Sequence, residues 1–167
     1  MFRAALEMYY LPVRNPMRFL IQLTDDRPDH SVDESFRGRI TIGSFKESFI
    51  SSATHWDANA YREHWHDAIH RVVREGKDSC LITSIADPRS STRLYWWPMY
   101  RDGDTVHVQN GVCFFDQLPS PFDEESPYES VPPRERVGED GEELSEWDVA
   151  VQDLDEFLEA RIGLRWE

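Results

Sequence analysis

The stretch DANAYREHWHDAIHRVVREG, residues 57–76, decides how this chain folds. Its apolar residues recur at i, i+4, i+7, i+8, i+11 and i+12, which places them on one face of a helix. These residues are Tyr61, Trp65, Ala68, Ile69, Val72 and Val73. The carboxylate of Asp57 suits an N-cap, and Gly76 suits the left-handed residue that follows a last turn. The pattern predicts a long helix over about residues 58–75.

Short apolar runs separated by turn signals follow this helix. Residues 79–85, 93–101, 105–109 and 112–115 are predicted strands. Asp102-Gly103 and Asn110-Gly111 suit two-residue turns between successive strands, because both turn positions need positive φ. We therefore expect an antiparallel β meander over about residues 79–115.

Further elements flank this region. Residues 19–23 are a predicted strand, residues 39–49 another, and residues 2–11 fit a helix or a strand. Near the end of the chain, Trp147, Val149 and Val151 alternate like a final strand.

A short C-terminal helix completes the predicted fold. Asp153 and Glu156 resemble a capping box at its start, and Leu154, Phe157 and Leu158 supply its apolar face. The predicted class is α+β, a mainly antiparallel sheet with one long helix and one short C-terminal helix.

Charge is unevenly distributed along the chain. Its 167 residues suit one domain, residues 1–167, with a buried core. Residues 1–110 carry 14 basic and 15 acidic side chains, whereas residues 111–167 carry 4 and 17, so nearly all of the net charge of −14 lies in the last third. Such a surface repels phosphate backbones and anionic lipids and attracts basic partners. We expect no direct binding to nucleic acid or membranes.

Apolar runs and cysteine content indicate the cellular compartment. No stretch approaches the roughly 18 apolar residues of a membrane span, and a charge precedes any apolar run of signal-peptide length. Cys80 and Cys113 are too few for a disulfide framework, which predicts buried thiols in the reducing cytoplasm. An exposed edge strand would allow a monomer or a weak homodimer.

The acidic, proline-rich stretch at about residues 116–141 differs in kind from the rest. It holds five of the ten prolines and eight acidic residues, with little periodicity. A connection of this length is usually functional, and Phe122, Tyr128 and Val131 are candidates for holding it on the body of the protein.

Signatures of enzymes are missing from the sequence, since it has no nucleophile elbow and no phosphate-binding glycine loop. His66 and His70 lie four apart on one helix face and can present two imidazoles to one metal, while His64 borders the apolar stripe. No third ligand is identifiable. We therefore favour a solvated face and predict no metal, no cofactor and no catalytic residue. A small metal-dependent hydrolase is the least favoured function.

The run LYWWPMY, residues 94–100, is apolar on both faces of a strand. Pro98 lacks a ladder donor, which indicates an edge strand or a bulge. We favour burial of both faces. The alternative exposes Trp96 and Tyr100 as aromatic anchors for a partner.

Several segments together carry a family resemblance. They are GSFKESF at 43–49, Trp56 with YREHW at 61–65, SCLITS at 79–84, WWPMYR at 96–101, YESVPPR at 128–134 and SEW at 145–147. In this order they resemble the immunity proteins of bacterial contact-dependent growth inhibition and related polymorphic-toxin systems. The resemblance runs from about residue 40 to the C-terminus.

This resemblance implies a cytosolic protein that binds a cognate toxin domain and blocks its active site or its access to substrate. Many such toxins are nucleases with basic surfaces, which an acidic inhibitor complements. Charge then predicts the partner-binding residues: Asp123, Glu124, Glu125, Glu139, Asp140, Glu142 and Glu143, with Trp96 and Tyr100 as anchors. The alternative function is an acidic adaptor or nucleic-acid mimic that binds many basic proteins.

Overall fold

The structure, a computed structural model, describes residues 17–25 and 34–162. Its main elements are β1 Phe19–Leu23, β2 Ser35–Ile42, β3 Phe45–Ser52, α1 Ala58–Arg74, β4 Ser79–Ser84, β5 Arg93–Asp102, β6 Thr105–Gln109, β7 Gly111–Phe114, β8 Glu146–Ala150 and α2 Val151–Ile162. Short 3-10 turns cover Phe115–Gln117 and Pro127–Ser130. The predicted α+β class is confirmed. Residues 2–11 lie outside the described part of the chain.

The strands form two antiparallel sheets. An N-terminal sheet has the order β1-β2-β3, and a C-terminal sheet has the order β4-β5-β6-β8, with β7 also paired to β5. The prediction of one strand over residues 39–49 is wrong, because β2 and β3 form a hairpin there. Ile42 pairs with Phe45 across a two-residue turn, and Gly43 in this turn has a φ of +60°. A glycine adopts this left-handed conformation without steric cost.

The predicted meander is also wrong in its last step. The turn after β5 forms as expected, with Asp102 opposite Thr105. However, β7 pairs with Arg93–Trp96 of β5 and not with β6. The two edges of β6 are already occupied by β5 and β8. After Asn110 the chain therefore continues as β7 beside Arg93–Trp96 of β5 and does not form a hairpin with β6.

This arrangement explains the proline in the aromatic strand. β5 is an inner strand, with β4 on one side and both β6 and β7 on the other. Pro98 is buried and lies at the step between the segments paired with β7 and with β6, where the ladder is already interrupted. The missing N–H of proline is tolerated at such an irregularity.

Helix α1 forms with the predicted caps. It is joined to the strands by hydrogen bonds from the polar groups of two aromatic side chains, Tyr61 and Trp65. Asp57 accepts a hydrogen bond from the Ala60 amide at 2.8 Å, and Gly76 has a φ of +64°. Trp65 Nε1 donates to the Ile82 carbonyl at 2.8 Å. The Tyr61 hydroxyl donates to the Ser52 carbonyl and accepts from the Ile85 amide. These bonds allow two large aromatic residues to be fully buried without leaving polar atoms unpaired.

At the C-terminal end, β8 contains Trp147 and Val149 as predicted, whereas Val151, also predicted in this strand, is the first residue of α2. The predicted capping box is wrong, because α2 begins at Val151 and Asp153 lies within its first turn. The Val151 amide donates to the Asp104 carbonyl at 2.9 Å, so the turn between β5 and β6 supplies the first contact of the helix. The predicted apolar face of this helix is buried. In the described part of the chain, neither helix has the length and apolarity needed to cross a bilayer.

Candidate functional site

The acidic segment, defined here as residues 116–145, connects β7 to β8, and its turn Pro127–Ser130 contacts β4 of the C-terminal sheet. Its predicted contacts with the core form, since Phe122, Tyr128 and Val131 are partly buried against it. Phe122 also stacks on Phe115 with ring centroids 5.0 Å apart. The acidic segment is therefore a covering layer of the domain with its own fixed contacts.

Tyr128 holds the middle of the acidic segment against helix α1. Its ring stacks on His64, and the Arg71 guanidinium lies 4.7 Å from the ring centroid. His64 Nε2 in turn accepts a hydrogen bond from the Ile82 amide at 2.8 Å. Burial lowers the pKa of His64 to about 3, so the imidazole is neutral, as an acceptor must be. His64 is thus a structural link between helix, sheet and segment, which its position beside the apolar stripe did not reveal.

Glu146 holds the end of the acidic segment. Both of its oxygens accept hydrogen bonds from Arg134, and Oε2 also accepts from Gln109 Nε2 at 2.8 Å. Gln109 Nε2 lies 2.7 Å from the Glu135 carbonyl as well. The hydrogen bonds with Arg134 lower the pKa of Glu146 to about 2. This carboxylate therefore serves the fold and is not part of the surface offered to a partner.

Four of the predicted partner-binding residues lie together on a small projecting turn. We call residues 136–144 the acidic hairpin: Val137 bridges Glu143, and Gly138 N donates to the Glu142 carbonyl at 2.8 Å. The exposed acidic residues are Glu139, Asp140, Glu142 and Glu143. Val137 is 51% exposed beside them, an apolar residue that the charge-based prediction missed. The dipeptide Asp140-Gly141, with a Gly141 φ of +81°, is the sequence signal for this turn.

The other three predicted acidic residues, Asp123, Glu124 and Glu125, lie outside the acidic hairpin, and not all of them are available to a partner. Asp123 and Glu125 are exposed, and Asp123 Oδ1 accepts from the Glu125 amide at 3.0 Å. Glu124 Oε1 lies 2.7 Å from His55 Nε2 and 2.6 Å from Trp56 Nε1. The Glu124 carboxylate is therefore engaged with the loop before α1, which makes it the weakest member of the predicted set.

Trp96 and Tyr100 are buried, with 5% and 4% of their surfaces exposed. Burial, with nearby Asp78 and Glu135, raises the pKa of Tyr100 to about 12. The favoured prediction for this strand, burial of both faces, is confirmed for the face of Trp96 and Tyr100, whereas on the other face Tyr95 is 46% exposed. Neither Trp96 nor Tyr100 presents a ring to solvent, so neither is available as an anchor for a partner.

The predicted histidine pair gains no third ligand among the described residues. The rings of His66 and His70 stack with centroids 6.5 Å apart, and Asp67 Oδ1 lies 3.7 Å from His66 Nδ1. His66 lines a groove of about 720 Å³ between β1, α1 and α2. Within residues 17–25 and 34–162, the pair therefore lacks the three convergent ligands of a catalytic zinc site.

A different histidine has the denser group of carboxylates. His107 lies 2.6 Å from Asp148 and 3.0 Å from Asp102, and donor atoms of His107, Glu146 and Asp148 all lie within 4.8 Å of one another. Burial lowers the pKa of His107, but its hydrogen bonds with the two aspartates outweigh this and raise it overall. Because Arg134 already neutralises Glu146, the arrangement is that of an ion-pair cluster.

Cys80 and Cys113 are buried free thiols, as predicted. Burial raises the pKa of both thiols, and that of Cys113 reaches about 11. Thiols in this state are poor nucleophiles at neutral pH, so neither suits covalent catalysis.

Comparisons with known proteins identify relatives of the chain. The family model described as CdiI N-terminal domain matches residues 51–157. The immunity protein CdiI of Enterobacter cloacae subsp. cloacae is 24% identical over 118 residues, which cover 71% of this chain and 81% of the relative.

A solved structure has a similar fold. It is a chain of the CdiA-CT/CdiI toxin and immunity complex from Enterobacter cloacae, with a TM-score of 0.77 and 21% identity. The match covers 87% of this chain and 99% of the other. The range of the family model includes helix α1, the C-terminal sheet and the whole acidic segment. The acidic hairpin and the contacts of Tyr128 and Glu146 therefore lie within the matched region.

Proposed function

The chain belongs to the CdiI N-terminal domain family, and from this premise we propose that it is an immunity protein that neutralises a cognate toxin domain by binding it. The observation that carries the proposal is the family match over residues 51–157, which contains the acidic hairpin. A relative that is 24% identical to the chain is named an immunity protein, and a protein of similar fold occurs in a toxin and immunity complex. The expectation drawn from the resemblance is supported by both.

The finer part of the proposal is that the toxin is a basic nuclease and that the acidic hairpin faces its substrate-binding surface. Four carboxylates and one arginine, Arg136, give the hairpin a net charge of −3. Nuclease surfaces that bind phosphate backbones are positively charged. Opposite charge accelerates encounter and rejects wrong partners. The exposed Val137 adds an apolar contact at the same place.

The role we assign is binding and not catalysis. Among residues 17–25 and 34–162, the candidate groups for chemistry are engaged in the fold or, like His66 and His70, lack a third convergent metal ligand. His64 is neutral and hydrogen-bonded, the two thiols are buried, and Glu146 is paired with Arg134. We place the protein in the cytosol, where an immunity protein meets an incoming toxin.

Affinity capture and growth rescue test this function. The tagged full-length chain is used to capture proteins from its native cells, with the product of the adjacent gene as the candidate partner. We expect recovery of one basic toxin domain, and growth of cells that express that domain together with this chain. Capture of many unrelated basic proteins, released together by salt, would instead support the adaptor. Failure of the chain to restore growth would overturn immunity.

A further inference from the structure

The outer face of the N-terminal sheet carries positive charge on an otherwise acidic protein. Arg18, Arg39 and Lys46 line a groove of about 940 Å³ there, together with apolar Met17 and Leu20. None of the described residues that line the groove is acidic. We call this surface, together with the adjoining exposed residues Ser48 and Ile50 of β3, the basic face.

Strand register sets the spacing of these charges. One row across the sheet contains Leu20, Thr41 and Lys46, and the next contains Gln22, Arg39 and Ser48. Outward residues along one strand are about 7 Å apart, and diagonal neighbours on adjacent strands are about 7–8 Å apart. The alternate residues Ile40 and Ile42 point to the core, so the cations of these rows point outward. The basic face is therefore a regular grid fixed by the β ladder.

The cations of this grid are not used by the fold. Among the described residues, the side chains of Arg18, Arg39 and Lys46 form no ion pair or hydrogen bond. By contrast, Arg74 pairs with Asp155 and Arg134 pairs with Glu146. Exposed cations without internal partners are available to an anionic ligand at no cost to the native contacts.

We propose that the basic face binds an extended acidic segment of a partner protein. Carboxylates on alternate residues of an extended chain are about 7 Å apart, which matches the diagonal spacing of Arg39 and Lys46 on β2 and β3. Leu20 lies within the grid, and Ile50 is 67% exposed at the end of the row next to Arg39, opposite Arg37. These apolar side chains contact the residues between the carboxylates. The surface thus fits a segment of acidic residues alternating with aliphatic ones.

The same face is a poor match to nucleic acid. Its rows contain no aromatic side chain on which a base can stack. The rest of the chain carries a large negative charge that repels a polyphosphate beyond the few local contacts. A short protein segment avoids both problems, because it covers only the grid.

Fluorescence anisotropy with defined probes tests the proposal. The probe is a fluorescein-labelled peptide of about ten residues in which Glu and Val alternate, and its control has the same composition with the glutamates in one block. We expect the full-length protein to bind the alternating peptide more tightly than the control at about 0.05 M salt. The variant Arg39→Glu/Lys46→Glu is expected to lose about 10-fold or more in affinity. The matched variant Lys77→Glu/Arg93→Glu makes the same change in net charge at exposed positions outside the basic face. It is expected to bind the alternating peptide with the affinity of the unmodified protein.

Several outcomes would overturn this assignment. Equal losses in the two variants would show an effect of net charge alone, and absence of binding to the alternating peptide would remove the site. Tighter binding to an oligothymidine probe would identify nucleic acid as the ligand. A dimer in sedimentation that disappears in Arg39→Glu/Lys46→Glu would identify a second copy as the occupant. Circular dichroism of each variant checks that the fold is intact. Toxin neutralisation does not depend on this result.

Discussion

Glu143 and Glu146 lie three residues apart, yet their surroundings give them different roles. Glu146 is held by Arg134 and Gln109, with 15% of its side chain exposed. Glu143 lies on the acidic hairpin, bridges Val137 through its backbone only and is exposed. Counting charge along the chain treats the two alike. Only Glu143 is free to meet a partner.

Replacing Glu146 by Gln is expected to lower the free energy of unfolding by about 2 kcal/mol near neutral pH, since the hydrogen bonds with Arg134 are charge-assisted. The folded-state pKa of Glu146, about 2, lies below the ordinary value of 4.5. Its contribution is therefore fully present above pH 4.5 and is lost as the pH falls towards 2. The difference between wild type and variant should shrink over this range.

Urea unfolding, followed by tryptophan fluorescence at several pH values, measures this difference. Glu143→Gln is the matched control and is expected to stay within about 0.5 kcal/mol of wild type. Equal losses in the two variants would contradict the structural role given to Glu146.

At the scale of elements, the hairpin of β2 and β3 depends on the close approach of the Phe49 ring to Gly38. An added Cβ at Gly38 would lie 2.3 Å from the ring of Phe49, which crosses from β3 towards the core. Phe49 in turn packs edge-on against Trp65 of helix α1, with ring centroids 5.8 Å apart. A glycine in the middle strand thus allows the N-terminal sheet to pack on the helix.

Gly38→Ala is expected to destabilise the protein by about 1–3 kcal/mol through overpacking against Phe49. Gly111→Ala is the matched control in another strand, because its Cβ would meet nothing closer than Trp96 Nε1 at 3.8 Å. In a Phe49→Leu background the loss from Gly38→Ala should be smaller, since the two positions are in contact. Thermal unfolding of the four variants measures the coupling, and an equal loss in both backgrounds would refute the clash.

At the scale of the whole molecule, charge is separated between surfaces. The acidic hairpin projects from the connection between β7 and β8, while the basic face covers the outer side of the N-terminal sheet. The net charge of −14 therefore describes no single surface of the protein. Partners of opposite sign can bind different parts of one chain.

Neutralising the acidic hairpin is expected to slow association with the toxin domain. The variant Glu139→Gln/Asp140→Asn/Glu142→Gln/Glu143→Gln should associate about 10-fold more slowly at low salt and should lose most of the salt dependence of the rate. Stopped-flow measurement at several ionic strengths gives both quantities.

The matched control, Glu63→Gln/Asp67→Asn/Glu156→Gln/Glu159→Gln, removes the same charge from helices α1 and α2 and should retain most of the rate. Equal slowing would assign steering to the net charge. Unchanged kinetics in the hairpin variant would refute the electrostatic mechanism and leave the binding role in place.

Local patterns in the sequence determined much of this protein. The stripe that starts at Tyr61, with its caps at Asp57 and Gly76, specified α1 because helix periodicity and capping depend on residues within a few turns. Most strands, the α+β class and the concentration of acidic residues after residue 110 were equally readable. So was the acidic segment, which carries most of the candidate site.

Only the tertiary structure decided which strand pairs with which and which charges are free. Nothing near Asn110 states that β8, some 35 residues later, occupies the second edge of β6 and leaves β7 to pair with β5. In the same way, Arg134 removes Glu146 from the surface, and Trp56 and His55 engage Glu124. Pairing and burial depend on groups that are distant along the chain, and a local pattern contains no record of them.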